Sequence, residues 1–64
     1  MFSRGTLVNV SGYGTQLGRV YRVDPTEIVV AMFSRQDLWP DGTPRFDFGT
    51  RHVVVKADRL TPCE

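Results

Sequence analysis

Few side chains in this sequence are equipped for chemistry. His52 is the single histidine and Cys63 the single thiol, which stands at the C-terminal end. Nucleophilic catalysis needs a nucleophile, a base and an orienting group within hydrogen-bond reach. A surface imidazole on a strand and a thiol in a loosely held tail account for the pair more simply. The same inventory excludes an intrachain disulfide and an ordinary His/Cys zinc site. Asp24, Glu27, Asp37, Asp41 and Asp47 fall mostly in turn sequences, where aspartate closes the backbone with its own carboxylate. Nothing in their spacing prepares two of them as an acid–base pair. Glycines 12, 14 and 18 superficially resemble a dinucleotide fingerprint. Their spacing is one residue too long, and the run opens a strand instead of a helix that could hold a pyrophosphate. No enzyme is expected, and no cofactor or metal.

The arginines and aromatics are better functional material. Seven of the eight basic residues are Arg, and only Lys56 is Lys. Arg suits stacking and bidentate contacts with phosphate or carboxylate, although a G+C-rich genome would produce the same bias. Tyr13 falls in the first loop and Tyr21 on the outward side of the second strand. Trp39, Phe46 and Phe48 lie in or beside a long connection. Arg19 and Arg22 flank Tyr21; Arg35 and Arg45 flank the Trp39 turn. The candidate binding surface is therefore Arg19, Tyr21, Arg22, Arg35, Trp39, Arg45, Phe46 and Phe48. Arg interleaved with aromatics binds single-stranded nucleic acid by stacking and phosphate contact. It also dominates protein–protein hot spots. The bland alternative is that Trp39 and the two Phe plug the ends of a small fold. A net charge of +1 creates no global field for nucleic acid. That turns the expectation toward a protein partner or further copies of the chain, with RNA or single-stranded DNA as the alternative.

The elements that must position these residues are short strands. The 64 residues, 41% of them hydrophobic, make one domain over residues 1–64 with a small core. Residues 6–10 alternate, with Val8 and Val10 on one face and Asn9 opposite. Residues 11–15 supply a sharp reversal, and residues 17–23 read as a second strand with Val20 inward. Residues 24–27 form a tight turn with Pro25 at its first corner. Residues 28–33 are continuously apolar, which predicts a central strand covered on both faces. Residues 51–56 are β-branched and strand-like. Residues 57–59 suggest a 3₁₀ turn, and residues 60–62 a last short strand at an edge, where Pro62 does no harm. No stretch approaches the roughly 20 apolar residues of a bilayer span, so a soluble cytoplasmic protein is expected.

The order of elements resembles the SH3-like small barrels, and closure would protect the edges of so small a sheet. Gly5, Val8, Val10, Gly12, Gly14, Gly18, Val20 and Val23, leading into the apolar run from Ile28, are similar to a KOW motif, an RNA- or protein-binding barrel. Tyr13 stands where that family usually has a basic residue, and the glycine spacing is shifted by one. Residues 53–62 are similar to the final strand, 3₁₀ turn and strand of many SH3-like barrels. The type II dihydrofolate reductases are also SH3-like chains of this size, which build one active pore from four copies. Their pore-lining Val-Gln-Ile-Tyr motif has no match in residues 52–55, and that activity is not expected.

In the connection, residues 39–42 (WPDG) fit a type I turn. Alternation on both sides predicts that the third and fourth strands run on as an extended hairpin, with Gly49 a candidate bulge. The expected fold is all-β: a five-stranded SH3-like barrel with that hairpin and a 3₁₀ turn before the last strand. The expected role is a non-catalytic binding module, a small regulator or accessory protein. Leu38, Trp39, Phe46 and Phe48 would need a cover.

Overall fold

In the computed structural model, which describes residues 2–63, the chain is all-β. One antiparallel sheet contains β1 (Leu7–Val10), β2 (Leu17–Val23), β3 (Ile28–Met32), β4 (Arg51–Val55) and β5 (Leu60–Pro62). Two 3₁₀ turns, Arg35–Asp37 and Ala57–Arg59, complete the elements, and the second leads directly into β5. The spatial order is β4-β3-β2-β1-β5, so the last strand returns beside the first. Among the described residues β4 and β5 do not pair, and the sheet is open between them. No described helical segment is long and apolar enough to cross a membrane.

Period-two alternation builds the core. Val8 and Val10 from β1, Val20 from β2, Ile28, Val30 and Met32 from β3, Val55 and Leu60 form one buried cluster. Phe2, Tyr13 and Val53 pack at its margin. Each fully buried aliphatic side chain contributes about 1.5–3 kcal/mol, the principal stabilisation open to so short a chain. β3 is buried along its whole length, as its apolar run predicts. It is an interior strand, but β2 holds the middle of the order. The turn before it is closed by the Asp24 N–H on the Glu27 carbonyl at 2.9 Å.

One irregularity in β2 has no counterpart in the alternation of its sequence. The β2–β3 register shifts between Val20 and Arg22, leaving Tyr21 without a partner on β3. Such a bulge re-aims side chains, and Tyr21, Arg22 and Val23 are all exposed beyond it.

The long connection departs from the expected hairpin. β3 and β4 pair from Ile28↔Val55 to Met32↔Arg51, and the ladder stops there. Beyond it come the 3₁₀ turn Arg35–Asp37, a narrow hairpin bridged at Leu38↔Pro44, and bends through residue 48. Pro40 and Pro44 lack the N–H that a continuing ladder needs. The turn over residues 39–42 does form: the Gly42 N–H donates to the Trp39 carbonyl at 2.8 Å. The Trp39 N–H donates to the Thr43 carbonyl at 2.7 Å. Gly42, at φ +92°, takes the left-handed position of a three-residue hairpin loop, where a Cβ would be strained. Gly49 marks a close backbone approach. It is buried against the end of β3, where a Cβ would overlap the Met32 carbonyl.

Candidate binding surface

The connection is held by Asp37, a residue whose sequence suggests only an ordinary turn former. Asp37 is buried, and its Oδ2 accepts from the Ser34 N–H at 3.0 Å and the Ser34 hydroxyl at 2.9 Å. The Thr50 hydroxyl lies 3.4 Å away, and the Arg45 N–H donates to the Asp37 carbonyl at 2.7 Å. One residue thus ties the start, middle and end of the connection together. The Ser34 N–H and hydroxyl, with smaller help from Thr50 and the Arg45 charge, hold this carboxyl below its ordinary value of 3.8. Ser-x-x-Asp over residues 34–37 is a capping pattern that could have revealed the role. Asp41 is held low in the same way, first by the Thr43 hydroxyl and then by the Thr43 N–H.

A carboxyl whose folded value is depressed stabilises the fold fully above its unfolded value. That contribution is lost as the pH falls through the folded value. Acidification below about pH 3.8 should therefore loosen the connection. Trp39, the only Trp, reports this as a fluorescence change. Asp37→Asn should show the loosened spectrum already at neutral pH, lower the melting temperature and flatten the acid transition. A wild-type spectrum from that variant at neutral pH would show that Asp37 anchors nothing.

On this frame the candidate residues divide into two clusters. In the first, the Arg45 guanidinium lies 4.9 Å from the Trp39 ring centroid and 5.7 Å from that of Phe46. Trp39 is 52% and Phe46 53% exposed, so neither plugs an end of the fold. Arg45 also reaches the Gln36 carbonyl at 3.4 Å, which holds its side chain on the same hairpin.

The second cluster spreads over the outer face of β2, β3 and β4. The Tyr21 ring stacks on His52 at 4.6 Å and meets Phe48 edge-on at 5.6 Å. Arg4 lies over Phe48 at 4.7 Å and over Tyr21 at 5.4 Å, and donates to the Tyr21 carbonyl. Tyr21 and His52 come from strands on either side of β3, so their stack roofs it. This explains why Ala31, opposite His52 on that face, is fully buried. Phe48 is half-buried in this cluster. Sequence reasoning missed Arg4; His52 is the exposed strand imidazole it expects, but the stack on Tyr21 has no signal in the sequence. No local signal pairs residue 4 with residue 48.

The other three candidates have separate fates. Arg19 is half-buried, donating from Nη1 to the Gly5 carbonyl at 2.7 Å, while its Nε is buried without a partner among the described residues. Arg22 forms an exposed ion pair with Asp24 at 3.1 Å, an interaction of little energetic weight. Arg35 is exposed at the rim of an open groove of about 950 Å³ between the sheet and the narrow hairpin. Leu7, Leu17 and Phe33 lie on one side of the groove and Leu38 and Pro44 on the other. Among the described residues no three His, Cys, Asp or Glu side chains gather to hold a metal ion.

A small all-β sheet carrying two Arg–aromatic clusters is the class of protein that fold and surface define. No protein family, curated protein or solved structure matches the chain.

Proposed function

We propose that the chain is a non-catalytic binding module that takes a protein surface on Trp39, Arg45 and Phe46. One observation carries this reading: two large rings stand more than half exposed, and one guanidinium is already positioned over both, 4.9 Å from the Trp39 centroid and 5.7 Å from that of Phe46. Exposed apolar area is worth roughly 25 cal/mol per Å² when a partner covers it. A preplaced Arg loses less side-chain freedom on binding than a mobile one. Trp, Tyr and Arg are the residues that dominate protein hot spots.

The fold reading that accompanies this is an SH3-like small barrel with a KOW-like first half. It is supported by a last strand lying beside the first and by the 3₁₀ turn that precedes it. RNA or single-stranded DNA is the alternative ligand, favoured by the guanidinium–ring stacks in both clusters, a pairing that also suits bases and phosphates.

Capture from native lysate, with and without nuclease, tests the proposal. Trp39→Ala combined with Phe46→Ala should cut capture of a protein partner at least about tenfold. The melting temperature should stay close to wild type, because both side chains are exposed. Undiminished capture would remove this surface from the reading. Nuclease-sensitive capture that weakens steeply with salt would replace the protein partner by nucleic acid.

A further inference from the structure

A second surface, of opposite character, lies at the other end of β3. The turn over residues 24–27 precedes that strand and the long connection follows it. Strand rise of about 3.3 Å per residue keeps the two well apart. The turn frames a dent of about 350 Å³, lined by Phe2, Val23, Pro25 and Ile28, with Asp24 and Glu27 on its rim. Val23 is 46% exposed there, a large apolar side chain left facing water. Asp24 is engaged by Arg22, but among the described residues Glu27 has no ion-pair partner.

Knob and dent are complementary in both chemistry and charge. Trp39 and Phe46 are apolar and exposed, and the Arg45 guanidinium lies over both rings. The dent has an apolar floor and an unpaired carboxylate at its edge. It has room for one aromatic side chain, and its acidic rim suits a guanidinium. Within one copy the strand between them keeps knob and dent from meeting.

We propose that the Trp39–Arg45–Phe46 knob of one copy docks into the Glu27-rimmed dent of a second copy. The proposal rests on the reading that this knob is a binding surface, and it names the partner as the chain itself. Copies can pair antiparallel, satisfying two contacts at once, or continue head to tail. In either geometry each contact needs one intact knob and one intact dent. The contact joins a cation to a carboxylate near the surface, so salt should weaken it.

Sedimentation of the full chain tests this. The weight-average mass should rise above 7.2 kDa with concentration and fall again when salt is added. Trp39→Ala, which spoils the knob, and Glu27→Lys, which spoils the dent, should each weaken self-association at least tenfold. Mixed in equal amounts, the two variants should form a pair of twice the monomer mass, because each supplies what the other lacks. Arg45→Gln serves as a second knob variant should Trp39→Ala alter the backbone amide spectrum. A wild-type chain that stays monomeric up to about 1 mM overturns the proposal. So does a mixture that associates no more strongly than either variant alone. If self-association is absent while Trp39→Ala with Phe46→Ala still abolishes capture of a foreign protein, the self-docking falls and the binding surface stands. If that double variant captures normally, both fall together.

Discussion

Gly49→Ala is expected to destabilise the fold by about 3 kcal/mol or more, at the upper end of what overpacking does. The added Cβ would overlap the Met32 carbonyl and crowd the Phe33 nitrogen, and both are backbone atoms that cannot swing aside like a side chain. Nor can that end of β3 retreat easily, because the Phe33 N–H is bonded to the Leu17 carbonyl at 2.9 Å. Domains of this size have stabilities on the order of 5 kcal/mol, so the variant should keep only about 2 kcal/mol or less and unfold at a much lower urea concentration. Urea denaturation followed by circular dichroism would measure the loss. A cost under about 1 kcal/mol would mean that the connection lifts freely from β3. The close packing between them would then contribute little to the fold.

Phe33→Ala should be of similar severity, with a loss of about 3–5 kcal/mol. Phe33 is among the largest fully buried side chains, yet it stands apart from the main core cluster. By strand alternation it lies on the outer face with Val29 and Ala31, beneath the narrow hairpin. Its carbonyl accepts from the Gln16 side chain at 2.9 Å, so its main chain is gripped on both sides. The variant should therefore disturb the connection as well as the sheet, moving Trp39 fluorescence together with the unfolding midpoint. Phe33→Leu keeps most of the volume and should cost less than about 1.5 kcal/mol. If alanine were tolerated as well as leucine, Phe33 could not be the pivot between sheet and connection.

The strands were legible because period-two burial is written into the residues. Val8 and Val10 alternate about Asn9, Val20 follows Arg19, and the apolar run from Ile28 predicts a strand buried on both faces. Turn chemistry was legible at residues 39–42 for the same local reason, since proline, aspartate and glycine each prefer one corner of such a turn. What lies between strand and turn was not. Leu38, Phe46 and Phe48 alternate as a hairpin would, but the Ser34–Asp37 interaction diverts the chain immediately after β3. Tertiary contact overrode the pattern there. The candidate surface was legible in composition and not in grouping. Trp39, Arg45 and Phe46 come together within a few residues of one another. Tyr21 and Phe48 needed Arg4 and His52, brought in by chain segments that no local pattern connects.

The returning fifth strand has a kinetic consequence. Val8 pairs with Pro62, so this ladder closes a loop of nearly the whole chain, whereas β2 and β3 meet across a four-residue turn. Loop-closure entropy therefore weighs most heavily on the β1–β5 contact, and β5 offers only three residues in return. Local opening should begin at that seam, with amide exchange at β5 running ahead of exchange in β3. The fifth strand behaves as a latch, the last part to click shut and the first to lift.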